Sequence, residues 1–184
     1  MIVNSNDIKN MSPSTARSLS PAAQNHSISL LVNNKPGVLI RISLVFARRG
    51  YNIESLVVSP THGGRFATMN IVASGEPKTL EQIIKHLNRL IDVIHAKDHT
   101  GDIVVERELA LFKINCPPEK RTEILQIAEH FKGITVDLSE STLMLQVTGS
   151  TEKLDALEMM LDKYGILELV RTGKIIMARG ASQT

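Results

Sequence analysis

Apolar residues recur with period two at Ile28, Leu30 and Val32, stop at Asn33-Asn34-Lys35-Pro36, and resume at Leu39, Ile42 and Phe46 with helical spacing. This change of period limits the fold, because a strand with one buried face must pass directly into a helix that covers it. Asn34 is placed to cap free backbone N–H groups, and Pro36 fits a first turn, where its missing donor costs nothing. Arg48 and Arg49 suit the negative end of the helix dipole, and Gly50 suits a left-handed exit.

Two apolar runs follow, at 51–59 and 66–73, and Pro60-Thr61-His62-Gly63-Gly64 between them has the composition of a hairpin loop. Thr79 with Gln82 reads as a capping box for a second helix, with Leu80, Ile83, Ile84, Leu87 and Leu90 as its buried stripe. A strand at 93–97 completes the order strand, helix, strand, strand, helix, strand, which is the split-βαβ arrangement. The order recurs after the turn-prone stretch 98–102. A strand at 109–116 leads to a helix at 120–131 carrying Ile124, Ile127, Ala128 and Phe131. Strands at 134–138 and 143–148 can pair across Ser139-Glu140-Ser141, Leu154, Leu157, Met160 and Leu161 line another helix, and a last strand is expected at 175–178.

The chain therefore reads as α+β, with two tandem ferredoxin-like βαββαβ domains at 26–100 and 101–184. Residues 1–25, rich in Ser, Asn, Ala and Pro, are expected to form a loose extension. Each domain is small for autonomous stability, so dimerisation would help both. Of the 184 residues 42% are apolar, but no run approaches the roughly 18 uninterrupted apolar residues of a membrane span. The 21 basic and 19 acidic residues give a net charge of +2 and no broad field for a nucleic-acid backbone. The single cysteine, Cys116, allows no intrachain disulfide, points to a reducing cytoplasm, and is expected to be buried.

Catalytic signatures are missing from the sequence, which has no Gly-rich phosphate loop, nucleophile elbow or Cys and His constellation. His95 and His99 have a helical metal-ligand spacing but fall at a strand end and loop without a third ligand, so no metal site is expected. RNA recognition on this topology needs aromatic platforms on central strands, and only 3% of the residues are aromatic. Glu106, Arg107 and Glu108 read as a charged surface seam, and Met159-Met160 as helix packing.

What remains is a receptor for a small molecule. Backbone N–H groups at Gly37, Val38 and Leu39, at a helix N-terminus, favour a carboxylate through direct hydrogen bonds and the macrodipole. Asn34 and Asn52 can offer side-chain carbonyls to an ammonium group, and Leu39 or Ile53 an apolar wall, so the ligand class is an aliphatic amino acid. Pro36 and Gly37 can also simply shape a turn, with Asn52 capping a strand.

The run Asn34-Lys35-Pro36-Gly37-Val38-Leu39 resembles the effector-binding turn of ACT domains. Together with Arg48-Arg49-Gly50-Tyr51-Asn52-Ile53-Glu54-Ser55-Leu56 and Val104-Val105-Glu106-Arg107-Glu108-Leu109, it resembles the regulatory small subunits of acetohydroxyacid (acetolactate) synthase. The resemblance implies an ACT domain at 26–100 and a noncatalytic chain without catalytic residues of its own. Such a chain activates a catalytic large subunit and confers feedback inhibition by a branched-chain amino acid, usually valine, in branched-chain amino acid biosynthesis. Thiamine diphosphate, magnesium and FAD would sit on that partner. The effector site would form in a homodimer, with Asn34, Lys35, Pro36, Gly37, Val38 and Leu39 from one chain and Asn52 and Ile53 from the other. Ile40 stands where the family commonly has a small polar residue, and Lys35 where many relatives carry an acid. An ACT-type amino-acid sensor serving another enzyme is the alternative.

Overall fold

The computed structural model describes residues 24–180. Apart from Gln24 and Asn25, which already belong to the first strand, the expected extension over 1–25 lies outside the described residues. The first half runs β1 (Gln24–Asn33), α1 (Val38–Ala47), β2 (Asn52–Pro60), β3 (Phe66–Gly75), α2 (Pro77–Leu87) and β4 (Val93–Asp98). Its antiparallel sheet has the order β2-β3-β1-β4. The second half runs β5 (Val104–Asn115), α3 (Arg121–His130), β6 (Ile134–Leu138), β7 (Thr142–Gly149), α4 (Thr151–Asp162), β8 (Ile166–Arg171) and β9 (Ile175–Ala178). Its order β6-β7-β5-β8 places corresponding strands in corresponding positions, so the two tandem ferredoxin-like units match the α+β expectation.

Each unit hides one apolar face of its sheet under two helices. In the first, Ile28, Leu30, Val32, Met69 and Ile71 meet Val38, Ile42 and Phe46 of α1 and Ile83 and Leu87 of α2. In the second, Phe112, Ile114, Leu143 and Leu145 meet Ile124 of α3 and Leu154, Leu157 and Leu161 of α4, with Cys116 fully buried among them. Full burial of a side chain such as Phe46 or Phe112 contributes about 2–3 kcal/mol from apolar transfer.

Several local expectations give way to tertiary structure. Helix α1 begins at Val38 with left-handed Gly37 (φ 81°) as its N-cap and no side-chain cap, while Asn34 instead donates to the Gly64 carbonyl at 3.0 Å. Val38 rather than Leu39 completes the buried stripe, and Leu39 is 41% exposed. Thr79 and Gln82 form no capping box, because α2 starts three residues earlier, at Pro77, with Glu76 as an uncapped N-cap. Met159 and Met160 point outward, since Leu154, Leu157 and Leu161 already fill the inner face of α4.

The strand expected last is not the fourth strand of the second unit. Residues Ile166–Arg171 take that place beside β5, and β9 is an addition that pairs with residues 104–107 of β5. Leu167 and Val170 are half exposed, so apolar residues on both faces hid the strand's alternation. β5 accordingly starts at Val104 and spans both partners.

Candidate functional site

The turn that opens α1 leaves backbone donors available. Val38 N–H contacts the Lys35 carbonyl at a long 3.4 Å, and among the described residues no acceptor faces the N–H of Leu39 or Ile40. No acidic residue occupies the first helical turn, so the positive end of the dipole is uncompensated there. Asn34 N–H binds the Arg65 carbonyl at 3.0 Å and its amide binds Gly64, which fixes the tip of the β2–β3 hairpin against the turn. Asn34, Lys35, Pro36 and Leu39 are exposed, whereas Val38 is buried.

Arg41 was not legible as part of this site. Its guanidinium pairs with the mostly buried Asp92 carboxylate, and its Nη1 lies 3.4 Å from where a Gly37 side chain would begin. It therefore adds a positive group to a helix start that already favours an anion. The signal was an Arg four residues beyond the glycine, on the face of the helix that meets the loop before β4.

Asn52 and Ile53 open β2. Asn52 is exposed and pairs in register with Ser74, and its amide donates to Glu54 Oε1 at 2.8 Å while Ser74 Oγ donates to the same oxygen at 2.6 Å. Glu54 thus places a carboxylate beside Asn52, a second group that sequence reasoning left out. Ile53 is half-buried and packs against the first core. Tyr51 holds this end in place: its hydroxyl donates to the Glu76 carbonyl, and Gly75 is needed because any Cβ there would collide with the Tyr51 ring. Burial first, and then the carboxylates of Glu76 and Asp98, push the Tyr51 hydroxyl above the ordinary phenol range, so it remains a donor.

The two halves do not meet within one chain. Asn52 is level with Asn25 across the Ser74 ladder position, whereas the α1 turn follows Asn33 at the other end of β1. Eight residues of strand separate those levels, about 26 Å at 3.3 Å per residue. Clefts of about 400, 630 and 340 Å³ are lined by none of the eight residues, although the second reaches the neighbouring Glu54. Any pocket using both halves therefore requires a second copy.

The other candidate groups have structural partners. His95 sits on β4 opposite Leu31, while His99 is buried, with Nε2 2.7 Å from Ser29 Oγ and Nδ1 3.2 Å from Asp102 Oδ2. Asp98 accepts from Thr100, and Asp102 pairs with Lys97 at 3.2 Å. Of the charged run, Glu108 is buried and held by Arg171 and Thr151, and Glu106 pairs with Lys174 at 2.8 Å, so only Arg107 keeps to the surface role expected of all three. Among the described residues no group of three His, Cys, Asp or Glu is arranged for a metal, and no helix is long and apolar enough to cross a membrane.

Residues 28–95 match the family model of the acetohydroxyacid synthase small-subunit-like ACT domain, and residues 107–180 match that of the small subunit of acetolactate synthase. The acetolactate synthase small subunit of Mycolicibacterium smegmatis is 42% identical over 162 residues, 88% of this chain and 95% of its own length. That of Aquifex aeolicus is 43% identical, covering 85% of this chain and 82% of its own. The crystal structure of the small subunit from Thermotoga maritima superposes with a TM-score of 0.78 at 34% identity, covering 86% of this chain and 99% of that one.

Proposed function

We infer the function of this chain from one premise: it belongs to the family of acetolactate synthase small subunits. In this reading it is a noncatalytic regulatory subunit in the cytoplasm that binds a catalytic large subunit, raises its activity, and makes it sensitive to a branched-chain amino acid, with valine as the first candidate. Thiamine diphosphate, magnesium and FAD then reside on the catalytic partner, where pyruvate is condensed with a second 2-keto acid.

The observation that carries the effector reading is the division of the candidate residues between opposite ends of the first sheet. A twofold arrangement can bring the α1 turn of one copy to the Asn52 end of its partner, so that a ligand binds only the assembled dimer. The turn supplies free N–H groups and Arg41 for a carboxylate, while Asn52 and Glu54 supply acceptors for an ammonium group. A ligand that spans two chains acts by preferring one arrangement of the dimer, and coupling of this kind is typically about 1–3 kcal/mol.

Reconstitution with an acetolactate synthase large subunit tests this function. The reading predicts binding, a rise in acetolactate formation, and inhibition of the complex by one of valine, leucine or isoleucine. A large subunit neither bound nor activated by this chain would sink it. An unrelated enzyme that the chain binds and renders amino-acid sensitive would favour the alternative of a sensor serving another catalyst.

A further inference from the structure

The loop between β8 and β9 reaches out of the second unit and touches β2 of the first. Gly173, buried and in the left-handed region (φ +84°), approaches so closely that a Cβ placed on it would lie 2.6 Å from Ser55 Cβ and 2.8 Å from Ser55 Oγ. Only glycine meets both demands, a positive φ and no side chain.

Both sides of this contact are held firmly. On the loop side, Arg171 donates to Glu108 at 3.1 and 2.7 Å, Thr172 N–H donates to the Leu109 carbonyl at 3.0 Å, and Lys174 pairs with Glu106 at 2.8 Å. The residues flanking Gly173 are thus tied to β5, the central strand of the second unit. On the other side, the ladder of β2 with β3 shifts register between Ile53 and Ser55, leaving Glu54 as an extra residue. A bulge is where a strand changes direction most easily, so a displacement of Asn52 and Ile53 is passed to Ser55 through the one irregular step in the strand. A cleft of about 630 Å³ surrounds the contact, lined by Glu54, Ser55 and Leu56 on one side and Thr172, Gly173 and Lys174 on the other. The units also meet where Ser27 Oγ of β1 donates to Glu106 of β5 at 3.3 Å, but beside the effector strand the close approach of Gly173 to Ser55 is bordered by open space in which it can shift.

We propose that Gly173 is a positioning residue that reads the conformation of β2 through Ser55, and that this contact carries effector occupancy at Asn52 and Ile53 into the second unit. The inference rests on the effector reading above and adds to it the route by which occupancy leaves the first unit. It requires no group to titrate and no new ligand, only that the Glu54 bulge has two settings and that the tethered loop favours one of them.

Three complexes with the large subunit test it: Gly173→Ala, Ser55→Gly, and the double variant. Each is measured for basal activation, for valine binding by calorimetry, and for inhibition by valine. Gly173→Ala is expected to bind valine and to activate within about twofold of wild type, while the valine concentration for half-inhibition rises by about tenfold or more. In Ser55→Gly/Gly173→Ala the added methyl faces no Cβ, and half-inhibition returns to within about threefold of Ser55→Gly alone. Since Gly173→Ala also strains the loop, Ser55→Val, which crowds the contact from β2, is the second probe and is expected to desensitise in the same way. Normal inhibition of both Gly173→Ala and Ser55→Val would overturn the proposal, as would a double variant as insensitive as Gly173→Ala. A wild-type complex that binds none of the three branched-chain amino acids would overturn the effector reading itself, and the coupling with it.

Discussion

Arg41 folds back beside Gly37 and pairs with Asp92, so the cation at the start of α1 is held by a carboxylate that belongs to the loop before β4. The pair places a positive group against free backbone donors and also closes the first unit, since the Asp92 carbonyl accepts from Asn33 N–H at 2.8 Å. In the proposed effector site, anion recognition and local stability therefore share one guanidinium.

Gly37→Asp puts a carboxylate where the effector's own would bind, and beside Arg41. It should abolish or weaken valine binding by at least about tenfold, while activation of the large subunit persists because the fold can accommodate Asp at positive φ at a cost of about 1 kcal/mol. Calorimetry together with an activation assay checks both halves, and an unchanged valine response would refute the placement of the carboxylate.

Arg41→Met leaves Asp92, whose side chain is 12% exposed, without its cation. The expected loss is about 1–3 kcal/mol in urea unfolding, most of it recovered by the second change Asp92→Asn. Equal instability in the single and double variants would show that lost packing, rather than the unpaired carboxylate, sets the cost.

Arg171→Met should be the more damaging change, since the Glu108 side chain is 6% exposed and, among the described residues, keeps Thr151 as its one side-chain hydrogen-bond donor once the guanidinium is gone. Breaking such a pair costs about 2–4 kcal/mol, allowing for the partial exposure of Arg171. Lys85→Met, at the exposed helical pair with Glu81, is the control and should leave the unfolding curve unchanged.

Lys97, and after it His99, hold the Asp102 carboxyl below the usual carboxylate range. A lowered folded-state pKa gives stability that is present above the unfolded value, about pH 4, and is lost as the pH falls through the folded one. The Tm of wild type should therefore exceed that of Asp102→Asn between about pH 5 and pH 7, and the difference should vanish toward pH 2. A difference that grows on acidification would exclude this contribution.

The order of elements was legible because Ile28, Leu30 and Val32, and later Ile124 and Ala128, carry unambiguous period-two and helical spacing. What escaped reading was whatever depends on a distant partner. Glu108 looks like a surface charge until Arg171, 63 residues away, is seen to bury with it. Asn34 looks like a cap until the Gly64 carbonyl claims its amide. β8 is not legible as a strand because the half-exposed Leu167 and Val170 add apolar residues outside its buried side. Of the candidate site, the exposed turn and Asn52 were readable from residue type and position, whereas Arg41 and Glu54 join it only through the folded geometry.

The central claim is that one effector site is built from two chains, and a mixing experiment tests it most directly. Gly37→Asp and Asn52→Ala chains are each expected to bind no valine alone. If the turn of one copy meets β2 of the other, a mixed dimer holds one doubly altered site and one intact site, so an equilibrated mixture regains about one quarter of the wild-type sites in calorimetry. Valine binding restored at that stoichiometry is the predicted result, and a mixture as inert as its two components would contradict the account.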